Sequence, residues 1–303
     1  MATILITGAS GLIGSALSRA LSGQGHTVHL LGRTTRSTTN ARSFVWDPPR
    51  GVMDPAALNG VTHIVHLAGA GIADKRWSRS RIDTLISSRT ETSQLLHRTV
   101  REQGIRIEAF VSAAGIGYYG AVSGAHVFTE QDGPATDTIG TISSRWEEAV
   151  DEWRDATRVV KLRTPVVLAR EGGALPKLAA PIRLGLGAAL GRGDQWMPWI
   201  HIDDLVALYI RALTDSSMSG AYNASADEHV TNADFMRTLA QVLHKPYFLP
   251  NVPAFLLKLA LGKMGEMILQ GSRVSNARLK LNGHRFVRHQ LEAALIDLLS
   301  PSA

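Results

Sequence analysis

Cysteine is absent from this chain of 303 residues. Its absence excludes disulfide bonds, thiolate metal sites and cysteine nucleophiles, and it fits a reducing compartment. Long hydrophobic runs are also absent, since no apolar stretch reaches the roughly 20 residues that a membrane-spanning helix needs. The chain passes from Met1 almost directly into a strand pattern, without the basic, apolar and cleavage regions of a secretion signal. We therefore expect a cytoplasmic protein with no membrane partner.

Acidic residues are outnumbered, because 32 Lys and Arg residues face 26 Asp and Glu residues and give a net charge of +6. The arginines are scattered rather than clustered, so we expect no nucleic-acid partner. A phosphate-bearing ligand and a solvated basic surface explain the excess equally well. Metal-site patterns are missing too: His63 and His66 are spaced to lie on opposite faces of a strand, and no HExxH motif occurs. We expect no metal site.

The chain does contain a regular alternation of short, apolar, β-branched runs with longer amphipathic stretches. This alternation predicts an α/β fold with a doubly wound parallel sheet, the Rossmann arrangement. The length and the hydrophobic fraction of 45% allow one large domain with a smaller appendage. We assign residues 1–170 to a dinucleotide-binding domain, to which 196–224 returns. Residues 171–303 are assigned to a smaller, mostly helical substrate domain.

The first thirty residues are typical of a strand, a glycine-rich turn, a helix and a second strand. In the turn GASGLIG, Gly8 lets the chain leave the strand sharply, Gly11 lets a pyrophosphate approach the backbone, and Gly14 lets the helix pack on the strand. The phosphate would bind free N–H groups at the positive end of the helix. The turn therefore predicts dinucleotide binding, and the expected contacts are Gly8, Ser10, Gly11, Leu12, Ile13 and Gly14.

The end of the second strand discriminates between NAD and NADP. An NAD site places an acidic residue there, about 20 residues past the glycines, on the ribose 2′-hydroxyl. This chain reads LLGRTTRS, so Arg33 and Arg36 stand where that acid would be. A guanidinium pairs with a 2′-phosphate, which favours NADP; the alternative is that both arginines are exposed loop residues. Further cofactor contacts are expected from the next buried strand and the helix after it, at Leu67, Ala68, Gly69 and Arg89. For Arg89 the alternative is an ordinary exposed charge.

Lys75, Arg76 and Trp77 precede the long helical pattern that begins near Ser78. They follow a buried strand, and ligands of doubly wound sheets bind at the carboxyl ends of the strands. These three residues therefore predict a binding site for an anionic substrate. A basic loop anchored by a tryptophan is an equally good interpretation.

Several motifs occur in order along the chain: ILITGASGLIGSAL, HLAGAGIADKRW, GYYG, RWEEAV, LRTPVVLAREGGALPKL and LGLGAALGRGDQWMPWIHIDDLVALYIRAL. With them the chain resembles the short-chain dehydrogenase/reductase superfamily. Within it, the chain is most similar to the atypical NAD-dependent epimerase/dehydratase-like "epimerase family" proteins with a C-terminal domain of unknown function. The resemblance covers nearly the whole chain. It implies an extended Rossmann protein that binds NADP through Gly8, Gly11, Gly14 and Arg33.

The resemblance also implies a catalytic set: a Ser or Thr that orients the substrate, a Tyr that transfers a proton, and a Lys four residues later. A phenol with a pKa near 10 needs such a cation to act as a base at neutral pH. The five tyrosines are followed four residues later by Val122, Ser123, Leu213, Ala226 and Asn251, so the Tyr–Lys pair is missing. The remaining catalytic candidates are Ser112, Tyr118, Tyr119 and His201. A packing role is the alternative for each of the four.

The second half of the chain has three further features with a predicted role. Asp203 and Asp204 are expected to include the N-cap of the helix that follows PWIHIDDL. Arg163 is expected to bind an anion or to pair with an acid such as Glu147. An apolar stripe is expected to pack as core, with a partner groove or dimer face as the alternative; it consists of Phe255, Leu256, Leu259 and Met264.

Two functions follow from the sequence. The first is an NADP-dependent oxidoreductase or epimerase-like enzyme for a small hydroxyl- or carbonyl-bearing metabolite, with anionic compounds and nucleotide sugars among the candidates. The alternative is a non-catalytic NADP(H)-binding sensor or interaction scaffold. Hydride transfer needs the cofactor and a positioned carbon, so a missing Tyr–Lys pair does not exclude catalysis. A homodimer is an open alternative to a monomer.

Overall fold

The computed structural model describes residues 1–35 and 41–300. In that part of the chain the strands are β1 (Thr3–Thr7), β2 (Thr27–Gly32), β3 (Arg42–Asp47), β4 (Val52–Met53), β5 (His63–His66), β6 (Ala109–Gly115), β7 (Val127–Phe128), β8 (Arg158–Thr164), β9 (Val166–Leu168), β10 (Trp199–His201), β11 (Gly220–Asn223) and β12 (Arg273–Val274). The α-helices are α1 (Leu12–Gly23), α2 (Arg79–Glu102), α3 (Thr138–Asp151), α4 (Leu175–Arg183), α5 (Ile202–Thr214), α6 (Asn232–Val242), α7 (Ala254–Leu261), α8 (Gly265–Leu269), α9 (Ala277–Leu281) and α10 (Leu291–Leu299). Short 3₁₀ helices span Pro48–Arg50, Pro55–Leu58, Ile116–Tyr119, Glu152–Asp155 and Gly262–Met264.

Eight strands form one sheet in the order β11-β8-β6-β5-β1-β2-β3-β4. Every neighbouring pair is parallel except β3 and β4, which are antiparallel. The order reverses at β1, so that later strands extend the sheet away from β2. The prediction of a doubly wound parallel sheet is confirmed, and the reversal marks the place where such sheets bind ligands.

Helices cover both faces of the sheet, and its central strands are accordingly buried, as β1 and β6 show. On one face α1 packs against α5, and both contribute buried leucines to a core shared with β1 and β8. On the other face α2 packs against α3. There Phe110 of β6 stacks on Trp153 at a ring-centroid distance of 4.0 Å. The carboxyl ends of the strands lie between these helical layers and are open to a ligand.

The second half of the chain contributes both to the sheet and to a separate helical cluster. β11 is the edge strand of the sheet beside β8, and α5 lies on its face. The helices α4, α6 and α10 pack around a separate hydrophobic cluster that includes Phe235, Leu239 and Leu295. The exact boundaries of the two parts stay a prediction. Among the helices of the described residues, none combines the length and the apolar character that spanning a bilayer requires.

The predicted apolar core stripe is wrong for three of its four residues. Phe255, Leu256 and Leu259 are 68%, 45% and 73% exposed, whereas Met264 is buried. The reason is that α7 makes its main contacts with α8 and the turn Gly262–Met264, rather than with the sheet.

The prediction that an aspartate caps α5 is also wrong. His201 is the N-cap, and its Nδ1 accepts a hydrogen bond of 3.1 Å from the Asp203 backbone N–H. The carboxylate of Asp204 instead accepts from the backbone N–H groups of Val287 and Arg288, at 2.8 and 2.9 Å. Asp204 therefore ties the C-terminal segment to α5.

Candidate functional site

A cavity of about 560 Å³ lies at the carboxyl ends of β1, β5, β6 and β8. A volume of this size is in the range of small-molecule and cofactor sites. Small and apolar residues that follow the strands form most of its wall, including Gly8, Leu67, Ala114, Gly115 and Val167. Its polar side chains, among the described residues that line it, are Arg89, Ser143, Trp146, Thr164 and Ser272.

The glycine turn forms one end of this cavity. Gly8 has a φ of +65°, and a Cβ there would lie 2.7 Å from the carbonyl oxygen of Leu67. A Cβ on Gly14 would lie 2.6 Å from the carbonyl oxygen of Gly8, so the close approach of α1 to the turn needs glycine. The N-cap of α1 is Gly11, without a side-chain capping bond, and the first turn of the helix holds no acidic residue. Its N–H groups and positive dipole are therefore available to an anion.

A buried histidine fixes the end of β5 beside the glycine turn. The hydroxyl of Thr7 accepts hydrogen bonds from the N–H groups of Leu67 and Ala68, both at 3.1 Å, and lies 3.0 Å from Nδ1 of His66. The proton of the Thr7 hydroxyl is therefore donated to Nδ1 of His66. Nε2 lies 3.3 Å from the Thr92 hydroxyl, which donates to carbonyls of its own helix. We therefore assign the ring proton to Nε2. Burial lowers the pKa of His66 to about 4, so the ring is neutral at pH 7.

The wall opposite the turn comes from α2 and α3. Arg89 of α2 lies over the ring of Trp146 of α3, with its guanidinium carbon 4.7 Å from the ring centroid. Ile139, Ser143 and Trp146 line the cavity from α3. Their spacing of four and three residues places them on one face of that helix. The face of α3 toward the cavity thus carries an isoleucine and a serine four residues apart.

Of the twelve residues predicted to contact a cofactor, seven line the cavity: Gly8, Gly11, Leu12, Ile13, Gly14, Leu67 and Arg89. Ser10, Ala68 and Gly69 belong to the same two loops but are outside the cavity wall. Arg33 follows β2 and is exposed. Arg36 lies outside the described residues. The contacts of these residues with a cofactor stay a prediction.

The two tyrosines of GYYG are not among the residues that line the cavity. The hydroxyl of Tyr119 donates to Oδ1 of Asn223 (2.7 Å) and accepts from Nη1 of Arg163 (2.8 Å). Burial raises the pKa of Tyr119 to about 12, against the opposing effect of Arg163. The ring of Tyr118 lies 3.7 Å from the guanidinium carbon of Arg163. Both tyrosines therefore pack on the same arginine.

Arg163 belongs to a buried set of ion pairs between β8 and α3. Its Nε and Nη2 donate to the two carboxylate oxygens of Glu147 at 2.7 and 3.0 Å, which confirms the predicted pairing. Nζ of Lys161 lies 2.9 Å from Oε2 of Glu147 and 2.9 Å from Oδ1 of Asp151. These residues and Tyr118 line a second, polar cavity of about 350 Å³. The pairs already compensate each other's charge and fix α3 to the sheet.

Two further catalytic candidates are buried away from the cavity wall. Ser112 is fully buried, and its hydroxyl donates to the carbonyl of Ala113 at 2.8 Å. His201 is buried, with Nδ1 committed to capping and Nε2 lying 3.2 Å from Oδ2 of Asp297. Burial lowers the pKa of His201, against the opposing effects of Asp203 and Asp297. Within the described residues, His201, Asp203 and Asp297 are the one group that brings potential metal ligands within 4.8 Å. Both ring nitrogens of the histidine already face partners.

The predicted anion-binding loop has mostly structural contacts. Trp77 is buried, and its Nε1 donates to the carbonyl of Ile72 at 2.9 Å. Nη2 of Arg76 donates to the carbonyl of Leu259 at 2.6 Å, which attaches the loop to α7. Lys75 is exposed. The three residues are not part of the cavity wall, although Ile72 and Ala73 of the same loop are.

The α3 residues that line the cavity were not among the predicted site residues, although the helix itself was expected to carry the Tyr–Lys pair. Ile139, Ser143 and Trp146 follow a helical spacing within TIGTISSRWEEAV, which was the available signal. Met267, Gly271 and Ser272 close the cavity from the C-terminal part, and no motif in the sequence indicates their position.

Comparison with known proteins identifies the family to which the chain belongs. A family model described as "NAD dependent epimerase/dehydratase family" matches residues 4–225, and a model described as "Domain of unknown function (DUF1731)" matches residues 252–298. The chain is 34% identical over 296 residues to the epimerase family protein ML0860 of Mycobacterium leprae, covering 97% of this chain and 94% of that protein. It is 32% identical over 303 residues to human epimerase family protein SDR39U1, covering 98% and 99%.

Solved structures of similar proteins have the same fold. The crystal structure of human SDR39U1 (isoform 2) with NADPH has a TM-score of 0.87 and 31% identity, and the match covers 98% of each chain. A nucleoside-diphosphate sugar epimerase from Corynebacterium glutamicum has a TM-score of 0.79 and 30% identity, covering 98% of this chain and 58% of that one. UDP-glucose 4-epimerase of Thermus thermophilus, in complex with NAD, shares the fold with a TM-score of 0.76 at 18% identity.

Proposed function

The chain belongs to the NAD dependent epimerase/dehydratase family, and from this premise we propose that it binds NADP(H) in preference to NAD(H). The observation that carries the proposal is the cavity at the carboxyl edge of the sheet, with the uncapped, acid-free N-terminus of α1 at one end. That end offers N–H groups to a pyrophosphate. The NADPH in the structure of human SDR39U1 supports the same choice of cofactor.

Arg33 is the proposed determinant of NADP over NAD. It follows β2, the strand next to β1 on the side away from the rest of the cavity, and it is exposed to an incoming ligand. An arginine at this place pairs with the 2′-phosphate, which NAD lacks. The apolar wall around Gly115 and Val167 then receives the nicotinamide end, beyond β5 and β6 in the strand order.

Fluorescence titration of the purified protein with NADPH and with NADH tests the proposal. We expect NADPH to bind at least about tenfold more tightly, since a charge-assisted hydrogen bond contributes about 1.5–3 kcal/mol. Arg33→Ala is expected to weaken NADPH binding to the level of NADH and to leave NADH binding unchanged. Equal affinities in the wild type, or no binding, would refute the assignment.

The proposed activity is an oxidoreductase or epimerase-like reaction on a small hydroxyl- or carbonyl-bearing metabolite. When bound, the cofactor supplies or accepts a hydride at the nicotinamide ring. The residues of the chain orient the two reactants: the small residues of β6 leave room for the ring, and Ser143 offers a hydroxyl for a substrate oxygen. The substrate class extends to anionic compounds and nucleotide sugars, and the protein is proposed to work in the cytoplasm.

A non-catalytic NADP(H)-binding sensor is the second candidate, and the composition of the cavity favours it. The residues that line the cavity in the described part of the chain include no Tyr, Lys, His, Asp or Glu. Side chains of these types are the usual proton donors and acceptors in enzymes. Turnover of NADPH with a panel of carbonyl compounds separates the candidates. Oxidation with any of them supports the enzyme, and tight binding without oxidation supports the sensor.

A further inference from the structure

Arg89 is a buried cation. It is 6% exposed and lines the cavity. Nη1 donates to the carbonyl of Leu85 (2.8 Å) and Nη2 donates to the carbonyl of Ala70 (3.0 Å), whereas Nε is buried and has no partner in the described part of the chain. Burial and the nearby charge of Arg81 lower its pKa to about 10, so it stays protonated at neutral pH. Among the described residues, no carboxylate forms an ion pair with it.

The surroundings of Arg89 hold it in place and add a second donor. Its guanidinium lies over Trp146, whose Nε1 is also buried and finds no hydrogen-bond partner within residues 1–35 and 41–300. Trp146 is 8% exposed and lines the same cavity. A Cβ at residue 69 would lie 3.1 Å from Cγ and Cζ of Arg89, so Gly69 leaves the space that the side chain uses.

An unpaired buried cation and an unpaired buried N–H are both costly. Burying a charge without an ionic partner is strongly unfavourable, and an unsatisfied buried N–H adds to that cost. The cost is offset when a bound ligand places an anion and acceptor oxygens beside them. The corner formed by Arg89 and Trp146 therefore selects a ligand that carries negative charge.

The strand order indicates which part of the ligand reaches this corner. The N-terminus of α1 follows β1, and β2 with Arg33 lies on one side of it. β5 and β6 lie on the other side, and Arg89 contacts the loop that follows β5. A dinucleotide with its pyrophosphate at α1 and its adenylate half toward Arg33 must extend its other half past Arg89.

We propose that Arg89, assisted by Nε1 of Trp146, binds the nicotinamide mononucleotide half of the cofactor through its phosphate and ribose oxygens. Arg89 thus places a positive charge beside the wall of α3, where the face toward the cavity carries Ile139 and Ser143. This inference rests on the proposed binding of NADP(H). It assigns the two halves of the cofactor to two different arginines.

The test compares NADPH with 2′,5′-ADP, which carries the adenylate half and the 2′-phosphate alone. Arg89→Gln is expected to weaken NADPH binding at least about tenfold, as the loss of a charged hydrogen-bond donor does. Binding of 2′,5′-ADP, measured by calorimetry, is expected to be unchanged. Arg33→Ala should weaken both ligands. Arg89→Lys should retain part of the NADPH affinity, because it keeps the charge but loses the planar fork.

Two further variants keep the test decisive. Trp146→Phe preserves the ring and removes the N–H, and it is expected to weaken NADPH binding less than Arg89→Gln does. Arg145→Gln, beside Trp146 but exposed and paired with Glu148, is the matched control and should leave both affinities unchanged. If Arg89→Gln does not fold, the Trp146→Phe and Arg89→Lys measurements decide.

Equal weakening of NADPH and 2′,5′-ADP by Arg89→Gln would overturn the proposal, because the effect would not be specific to the nicotinamide side. Unchanged NADPH affinity with a raised KM for a carbonyl substrate would also overturn it, since Arg89 would then bind substrate. Failure of the wild type to bind NADPH would instead refute the proposed function itself.

Discussion

The hydroxyl of Tyr119 shows how one residue can carry the pattern of a catalytic group and hold the fold together. It lies on the segment after β6 where an acid or base is expected, but Asn223 and Arg163 satisfy it. Those partners come from β11 and β8, about a hundred and about forty residues further along the chain. Spacing within GYYG carries no information on such distant partners, so the sequence could place the tyrosine but could not show what it contacts.

His66 is expected to make stability depend on pH below neutrality. Its folded-state pKa is about 4 because of burial, against 6.5 in the unfolded chain. The unfolded state therefore binds a proton more readily, and stability falls as the pH drops from 6.5 toward 4. Protonated Nδ1 could no longer accept the Thr7 hydroxyl, so the junction between β1 and β5 would loosen.

Urea unfolding at pH 7 and pH 5 measures this effect. We expect His66 to account for about 2 kcal/mol of the stability lost between the two pH values. His66→Gln is expected to be less stable at pH 7 but to lose less stability on acidification. An equal loss in the wild type and the variant would show that the ring titrates normally in the folded protein.

At the scale of elements, α3 links the candidate site to the sheet. Ser143 and Trp146 of this helix line the cavity, and Glu147, four residues after Ser143, pairs with Arg163 and Lys161 of β8. All three charged residues are buried. The ion pairs therefore fix the position of α3, and the position of α3 determines that of the cavity wall.

Glu147→Gln is expected to destabilise the protein by about 3–5 kcal/mol, because it leaves two buried cations with less compensation. Chemical denaturation measures the change. Glu148→Gln is the matched control: Glu148 is exposed and pairs with Arg145, so its replacement should change stability by less than about 0.5 kcal/mol. Similar effects of the two substitutions would show that the buried pairs do not anchor the helix.

Elements differ in how far the sequence determines them. The turn GASGLIG was predictable because glycine is required there by local geometry, at Gly8 and Gly14. The exposure of α7 was not predictable, because this helix is as apolar as a helix of a protein core. Whether such a helix is covered depends on its neighbours, and α7 contacts mainly the short helix and turn that follow it.

The whole molecule builds its cavity from both halves of the chain. The N-terminal half supplies the glycine turn and the α2 and α3 wall, and Met267, Gly271 and Ser272 close the cavity from the C-terminal part. Asp204 ties α5 to residues 287 and 288, which holds the C-terminal segment against the sheet. Alternation of strands and helices predicted the sheet, but the closing residues depend on how the two parts pack. Sequence patterns do not report that packing.

A crystal structure of the protein with NADPH tests the central claim most directly. We predict the pyrophosphate at the N-terminus of α1, the 2′-phosphate at Arg33, and the nicotinamide mononucleotide half beside Arg89. We also predict that Ser143, Thr164 and water are the groups with exchangeable protons nearest to C4 of the nicotinamide ring. NADPH bound outside this cavity, or a tyrosine, histidine or carboxylate within hydrogen-bond distance of a substrate oxygen placed at C4, would contradict it.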